Sequence, residues 1–448
     1  MEPDPAAVAA LDRFRALLRL PTVSRADEAL TDWAPFEAFR AEVERLYPAT
    51  HRTLEREIIA GHSLLYRWPG SSSAAPTVLM AHIDVVPVVD AEWTHPPFGA
   101  QIVGEGDDAA VHARGAIDDK GSLVAILEAI EQLAGEGFTP VHDVYLAFGH
   151  NEETAGNGAR AIVAELQARG VRPALVLDEG GAVVDGAVPG VAAPTAMIGL
   201  AERGVMTVQL TARDGGGHAS TPPAVPATAR LARAMHRLHR RPFPARIAEP
   251  VRAMFDALAP HTAGPLGVVF RRIGLTGPLL AKVFPKFGPE MNALVRTTAV
   301  VTELAGAPSE NVLATSARAS VNVRLLTGDS VAGATDRIRR VIADPEVTVD
   351  VRHGSEPSPV SPASGRVWDR LARTVTATLG ETVIPTPYLQ LGASDSRWFT
   401  AISDHVYRFT PFHLTRAERD ALHSHNERIR VASWLAGIDF YRELVRAS

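Results

Sequence analysis

At 448 residues and 46% hydrophobic content, the chain is too long for one simple core and apolar enough to build more than one, so two globular domains are expected. Its 45 basic against 51 acidic residues leave a formal net charge of −6, which gives no global attraction to nucleic acid or to an anionic membrane. Cysteine is absent, which excludes disulfides and thiolate metal sites and leaves histidine and carboxylates as the only strong metal ligands.

The chain starts MEPDPAAVAALDRFRALL, acidic and interrupted by Asp12, Arg13 and Arg15, unlike the basic and then apolar run of a secretory leader. The longest apolar stretch, 181–201, contains Asp185, Pro189 and Pro194 and is not expected to span a bilayer. A cytoplasmic location is the resulting expectation. Val8, Leu11 and Phe14, and then Phe36, Phe39, Val43 and Leu46, predict two amphipathic helices in the first 47 residues. A short strand follows at 64–68. After the turn-forming PGSSSAAP comes a buried strand at 77–81 that runs into His82-Ile83-Asp84. Residues two apart in extended backbone share a face, so the Asp84 carboxylate is expected to orient the His82 imidazole as a supported metal ligand.

Next comes RGAIDDKGS (114–122), heading a helix whose inner face is Leu123, Ile126, Leu127 and Ile130. A helix cap and a dipole-favoured acid account for one aspartate here better than for both Asp118 and Asp119. The apolar run 144–148 leads into GHNEETAG (149–156), where two adjacent glutamates stand at the mouth of a buried sheet. Such neighbours repel, and Glu152 with Glu153 calls for a metal ion or a protonated partner. A helix with Ile162, Val163 and Leu166 follows, and the strand 174–177 delivers Asp178. In alternating β/α sheets, functional groups collect beyond the carboxyl ends of the strands. His82, Glu152, Glu153 and Asp178 all fall there, with Asp118 at the head of a helix.

From about residue 199 the pattern changes: a strand at 205–212, GGGHAS around His218, a helix through Leu231 and Leu238, strands at 298–303 and 313–325, a helix at 331–342 and a strand at 347–351. With an insertion at about 243–296 set aside, the order is βαββαβ. The insertion carries apolar segments at 251–258 and 279–287 and is expected to be a helical elaboration of this second domain. The arginines at 230, 233, 237, 240 and 241 read as a solvated helix face, not a nucleic-acid surface. The α/β pattern resumes near 357, through LGASDSRWF, a strand at 406–409 and LHSHNERI (422–429), to a final helix with Trp434, Ile438, Tyr441 and Val445 on one face. The fold class expected is therefore α/β: a mostly parallel-sheet domain from 1–198 and 357–448, interrupted by an α+β ferredoxin-like domain at 199–356.

His82, Asp118, Glu153, Asp178 and one histidine near the C-terminus form two sets of ligands around a shared carboxylate, with one glutamate left over. That inventory suits a two-metal hydrolytic site in which the spare carboxylate is the base. Mixed imidazole and carboxylate ligation favours two Zn²⁺ per subunit, with Mn²⁺ or Co²⁺ as alternatives. In MAHIDVVP, RGAIDDKGS, GHNEETAG, VLDEGG, GGGHASTPP, VNVRLLTGD and HSHNERI, in that order, the chain resembles the M20 dinuclear-zinc exopeptidases, which include aminoacylases, carnosinases and glutamate carboxypeptidases. DVVPV with EWTHPPFG, and GASDSR with VYRFTP, look most like the branch of Gly-X carboxypeptidases and N-fatty-acyl-amino-acid hydrolases.

The resemblance implies that His82 and Asp178 hold one metal, Glu153 and His423 hold the other, and Asp118 bridges them. His423 is chosen over His425 because the family's ligand stands three residues before the asparagine of Asn-Glu. Glu152 becomes the base, Asp84 orients His82, and a cis peptide joins Asp118 to Asp119. The inserted domain becomes a lid and dimerisation domain whose His218 acts in the partner subunit's site of a homodimer. Arg324 binds the substrate carboxylate and Asn311 contacts substrate. The substrate implied is a small peptide or an N-acyl amino acid, with no nucleic acid and no membrane span. A non-catalytic metal-binding relative is the alternative from a different class.

Overall fold

The computed structural model describes residues 4–448. Its larger sheet has eight strands in the order Glu55–Ile59, Ser63–Trp68, His142–Gly149, Ser72–His82, Leu175–Val184, Val406–His413, Thr195–Glu202 and Ile384–Gln390. Ser72–His82 pairs in parallel with both His142–Gly149 and Leu175–Val184, and the latter pairs in parallel with Val406–His413. The central strands are buried on both faces, which is why they read as continuous apolar runs. Their carboxyl ends sit side by side, with His82 opposite Gly149.

Helices cover this sheet. Lys120–Gly135 is buried around most of its circumference because it lies against the sheet and against the final helix, Val431–Arg446. It stops where Gly137 takes φ +73° and the Phe138 N–H bonds back to Leu133, a left-handed cap that only glycine adopts freely. The first helix, Pro5–Leu18, stacks Phe14 on Trp434 with ring centroids 4.3 Å apart. Its buried face is Ala10, Phe14, Leu17 and Leu18, so the expected core position Val8 is corrected: that residue is 43% exposed.

The second sheet is antiparallel, in the order Thr298–Ala305, Ser316–Leu325, Gly204–Arg213, Val347–Ser355. Helices Ala227–Arg240 and Val331–Ile342 close a separate core with Val208, Leu210, Leu231, Val321 and Ile338. This is the expected βαββαβ order, and the fold class read from the sequence holds.

The insertion differs from expectation. Its helix Glu249–Leu258 packs on Ile384–Gln390, at the edge of the larger sheet, and buries Val251, Met254, Phe255 and Leu258 in the catalytic half's core. Phe270 and Phe284 gather around Phe255, with centroids 4.6 and 5.5 Å away. The segment therefore buttresses the catalytic half instead of elaborating the smaller sheet. The physical reason is an edge strand that would otherwise stay uncovered. Phe255→Ala should accordingly destabilise the main unfolding transition by about 3–5 kcal/mol, read as a lower urea midpoint. An unchanged midpoint would mean that the insertion is not part of that core.

Candidate active site

His82 ends the central strand and is 2% exposed. Its Nδ1 lies 2.9 Å from the main-chain oxygen of Asp84. A carbonyl only accepts, so Nδ1 carries the proton and Nε2 is turned to the cleft. There Nε2 stands 3.0 Å from Asp118 Oδ1 and 3.7 Å from Glu179 Oε1. Burial alone would lower this imidazole's pKa, but the hydrogen bonds to Asp118 and Asp84 and the charge of Glu179 hold it well above its ordinary value.

The Asp84 side chain also stands 3.4 Å from His82 Nδ1, and it accepts three further hydrogen bonds. Oδ1 accepts from the Glu152 N–H and Oδ2 from the Glu153 N–H, each at 3.1 Å, and Ser24 Oγ donates to Oδ2 at 2.6 Å. The backbone oxygen and the carboxylate of Asp84 thus both face His82 Nδ1, and the carboxylate also fixes the turn Glu152–Thr154 that carries the two glutamates. Burial raises the Glu152 pKa well above the carboxylate range, and Asp395, Asp118 and Glu153 add to it against the opposing charge of His82.

Asp118 stands between two imidazoles: Oδ1 faces His82, and Oδ2 lies 2.9 Å from His423 Nε2. The Asp118–Asp119 peptide is cis. His423 adopts φ +56° and also meets Glu153 Oε2 at 3.1 Å; hydrogen bonds to Asp118 and Glu153 raise its pKa to about 10. The loop of Asp118 is held from behind by Glu427, a residue to which sequence reasoning gave no role. Oε1 of Glu427 accepts from the N–H groups of Ile117 (2.8 Å) and Asp118 (3.1 Å). Its Oε2 accepts from the Gly115 N–H (3.0 Å) and Arg114 (2.7 Å). One buried carboxylate thereby ties the loop of Asp118 to the loop of His423.

Asp178 and Glu179 are turned to different surroundings. Asp178 accepts on its Oδ2 from the Ser396 N–H at 2.8 Å, so it anchors the GASDSR loop, while Glu179 reaches the cleft. Plain alternation puts Asp178 on the same face as Val176. The pairing with Val406–His413 then slips, leaving Arg408 opposite Asp178 but Phe409 opposite Gly181, and Gly180 takes φ +153°. Such a bulge re-aims the side chain beside it. The acid pair of VLDEGG was the available signal, but only the register shift decides between its members. Ligand atoms of His82, Asp118 and Glu179 lie within 4.8 Å of one another, and so do those of Asp118, Glu153 and His423, with Asp118 common to both.

A metal pair fits this donor set on two counts. Glu153 Oε1 is buried without a hydrogen-bond partner, and an unmatched carboxylate oxygen inside a protein needs a positive charge. The donors are nitrogen and oxygen throughout, which suits zinc-class ions.

The remaining expected residues lie on the smaller domain. Arg324 is half-buried on Ser316–Leu325, with Nε 3.2 Å from Asn322 Oδ1. Burial lowers its pKa, as does the charge of Arg397, the arginine of GASDSR. Arg203, at the junction of the two sheets, is pushed down to about 10 by burial and by Arg324. Arg203 also bonds the main-chain oxygen of Arg324, and Arg397 of the GASDSR loop is a basic residue to which sequence reasoning gave no role. His218 is exposed on a two-residue strand opposite Val312, with Nδ1 2.7 Å from Ser220 Oγ. Asn311 is beside it, accepting the Ala219 N–H on its main-chain oxygen. Neither is among the clustered donors of this chain.

A mostly parallel α/β sheet with paired imidazole and carboxylate clusters at its carboxyl edge defines a dinuclear metallohydrolase. The chain belongs to peptidase family M20/M25/M40, whose family model matches residues 78–447. It is 33% identical to the N-fatty-acyl-amino acid synthase/hydrolase PM20D1 of Xenopus tropicalis, over 98% of this chain and 85% of that one. It is likewise 33% identical to a probable carboxypeptidase S-like 2 of Dictyostelium discoideum, over 92% and 79%. Among solved structures, the M20 metallo-carboxypeptidase Sso-CP2 of Sulfolobus solfataricus superposes with a TM-score of 0.72 at 18% identity, covering 98% of both chains. Human carnosine dipeptidase 1 gives 0.63 at 14%, covering 98% of this chain and 96% of its own. Both show the shared fold.

The Glu427 clamp generates a direct test. Glu427→Ala leaves Arg114, 3% exposed at its side chain, without its carboxylate and frees three N–H groups. It should destabilise the protein by about 3–5 kcal/mol, the usual loss when one partner of a buried ion pair is removed. In the more conservative Glu427→Gln, metal retention on dialysis should fall by about tenfold or more, as for other residues supporting a ligand. Unchanged metal content in Glu427→Gln would remove the positioning role.

Proposed function

We propose that this protein is a zinc-dependent amidohydrolase that cleaves the amide bond joining an acyl or aminoacyl group to an amino acid with a free carboxylate. The observation that carries the reading is the arrangement of Asp118 between two imidazoles, with Glu152 beside it. His82 and Glu179 would hold one ion, Glu153 and His423 the other, and Asp118 would bridge. Bound there, the ions supply Lewis acidity toward water and the scissile carbonyl. Mn²⁺ and Co²⁺ suit the same donors.

The chain's own residues do the rest. Glu152, on the turn it shares with Glu153, takes a proton from the attacking water and returns it to the leaving amine. Arg324 grips the substrate carboxylate with a bidentate guanidinium, and the nearby charges of Arg203 and Arg397 favour an anion between them. Asn311 is a lesser substrate contact. The domain division supporting this is 1–198 with 357–448 for catalysis and 199–356 for the lid, the insertion going with the former.

His218 would donate to the developing oxyanion in the site of the partner subunit of a homodimer. Two features favour a lid-borne dimer: His218 is exposed and outside its own chain's cluster, and the edge strand Thr298–Ala305 exposes Val300 by 59% and Leu304 by 65%. The relatives named for N-fatty-acyl amino acids and for carboxypeptidase activity suggest an N-acyl amino acid or a small peptide as substrate.

Four experiments test this. Glu152→Gln should keep both metals while hydrolysis drops by about two to four orders of magnitude, the usual range for a general base; turnover near wild type would sink the role. Glu179→Gln should lose metal where Asp178→Asn retains it, and the reverse pattern would restore Asp178 as ligand. Arg324→Ala should damage cleavage of free-carboxylate substrates far more than that of their amides. Finally, His218→Ala and Glu152→Gln subunits, each inactive, should regain activity when co-assembled, and mixed dimers without recovery would exclude action across the interface.

A further inference from the structure

An exposed apolar patch lies on the insertion, and none of its residues belongs to the clustered metal donors. Leu275 is 80% exposed, Phe287 69%, Leu279 67%, Val268 50% and Leu266 40%. They belong to the helices Gly264–Arg271 and Ile273–Val283 and to the turn that follows. On the second helix Ile273, Gly277 and Ala281 face the core, while Leu275, Leu279 and Lys282 follow one another at i, i+4 and i+7 on the outer side. Lys286 and Phe287 extend that side past the helix end.

The charge of this segment is as unusual as its exposure. Between residues 257 and 289 the chain carries Arg271, Arg272, Lys282 and Lys286 and no acidic residue, although its net charge is −6. All four cations are exposed. The whole sequence has only three lysines, and the third, Lys120, is buried in the catalytic half. Lysine suits an interface between water and hydrocarbon, since its stem covers apolar surface while the ammonium reaches the polar side.

We infer that this face docks on the surface of an anionic lipid bilayer. The leucines and Phe287 enter the boundary between headgroups and acyl chains, and the four cations meet the negative headgroups. The segment lies on the bilayer and does not cross it: no helix among the described residues is long and apolar enough to span one. A second copy of the chain is a poorer occupant, because a two-fold contact sets each patch against itself and would bring the same four cations together. The inference stands whether or not the hydrolase reading is right.

Flotation of the full-length protein with phosphatidylcholine vesicles, with and without phosphatidylglycerol, tests it. The protein should float only with the anionic vesicles and be released by high salt. Lys282→Gln and Lys286→Gln should each weaken binding about fivefold. The double substitution Leu275→Ser with Leu279→Ser should abolish it, with circular dichroism and the thermal midpoint unchanged, because these side chains are exposed. No flotation of the folded wild type with anionic vesicles, or flotation unaffected by the leucine pair, would overturn the proposal. So would light scattering that shows a dimer lost on Leu279→Ser, which assigns the face to a second copy.

Discussion

Everything at the catalytic edge depends on Asp118 presenting one oxygen to each of two imidazoles that come from distant parts of the chain. His82 arrives on the central strand, and His423 on a loop more than three hundred residues later, held at a positive φ. Neither approach would persist without support, because buried carboxylates at this density repel one another. Two buried acids that face away from the cleft provide the support. Glu427 accepts three backbone N–H groups and Arg114, and Asp84 accepts the two N–H groups that set the Glu152–Glu153 turn. Both act by receiving hydrogen bonds from backbone, so they fix the main chain from which the reactive side chains project.

A similar network joins the two domains. Glu202, at the end of the last strand before the lid, accepts from Arg408 Nε (2.8 Å), Ser394 Oγ (2.8 Å) and Ser396 Oγ (2.9 Å). Ser396 also donates its N–H to Asp178. The GASDSR loop is therefore pinned to two strand ends, and the charge of Arg397 within it acts on Arg324 of the smaller domain. Arg203 follows Glu202 directly and bonds the main-chain oxygens of Arg296 and Arg324. The junction between the two domains is thus where Arg203 meets the backbone of Arg296 and Arg324.

Periodicity and motif order made the two sheets, the split of the catalytic half and most of the cleft legible in the sequence, because strand ends in a parallel sheet converge by topology. What escaped was local. Asp178 and Glu179 differ by one position, and the choice between them turns on a bulge at Gly180 that no alternation rule contains. Glu427 lay inside a motif already singled out, but its target is backbone, which leaves no trace in residue identity. The insertion was assigned to the lid by its position in the sequence, whereas Val251 and Phe255 follow the uncovered edge strand of the other sheet.

A net charge of −6 argued against attraction to an anionic surface, yet a sum over the chain says nothing about segregation, and the stretch 257–289 holds cations without a single acid. Its inner residues are in the same core as the strand Ile384–Gln390, so the exposed leucines sit on the catalytic half and not on the smaller domain. A surface anchored there would hold the catalytic half at the bilayer while leaving the lid free.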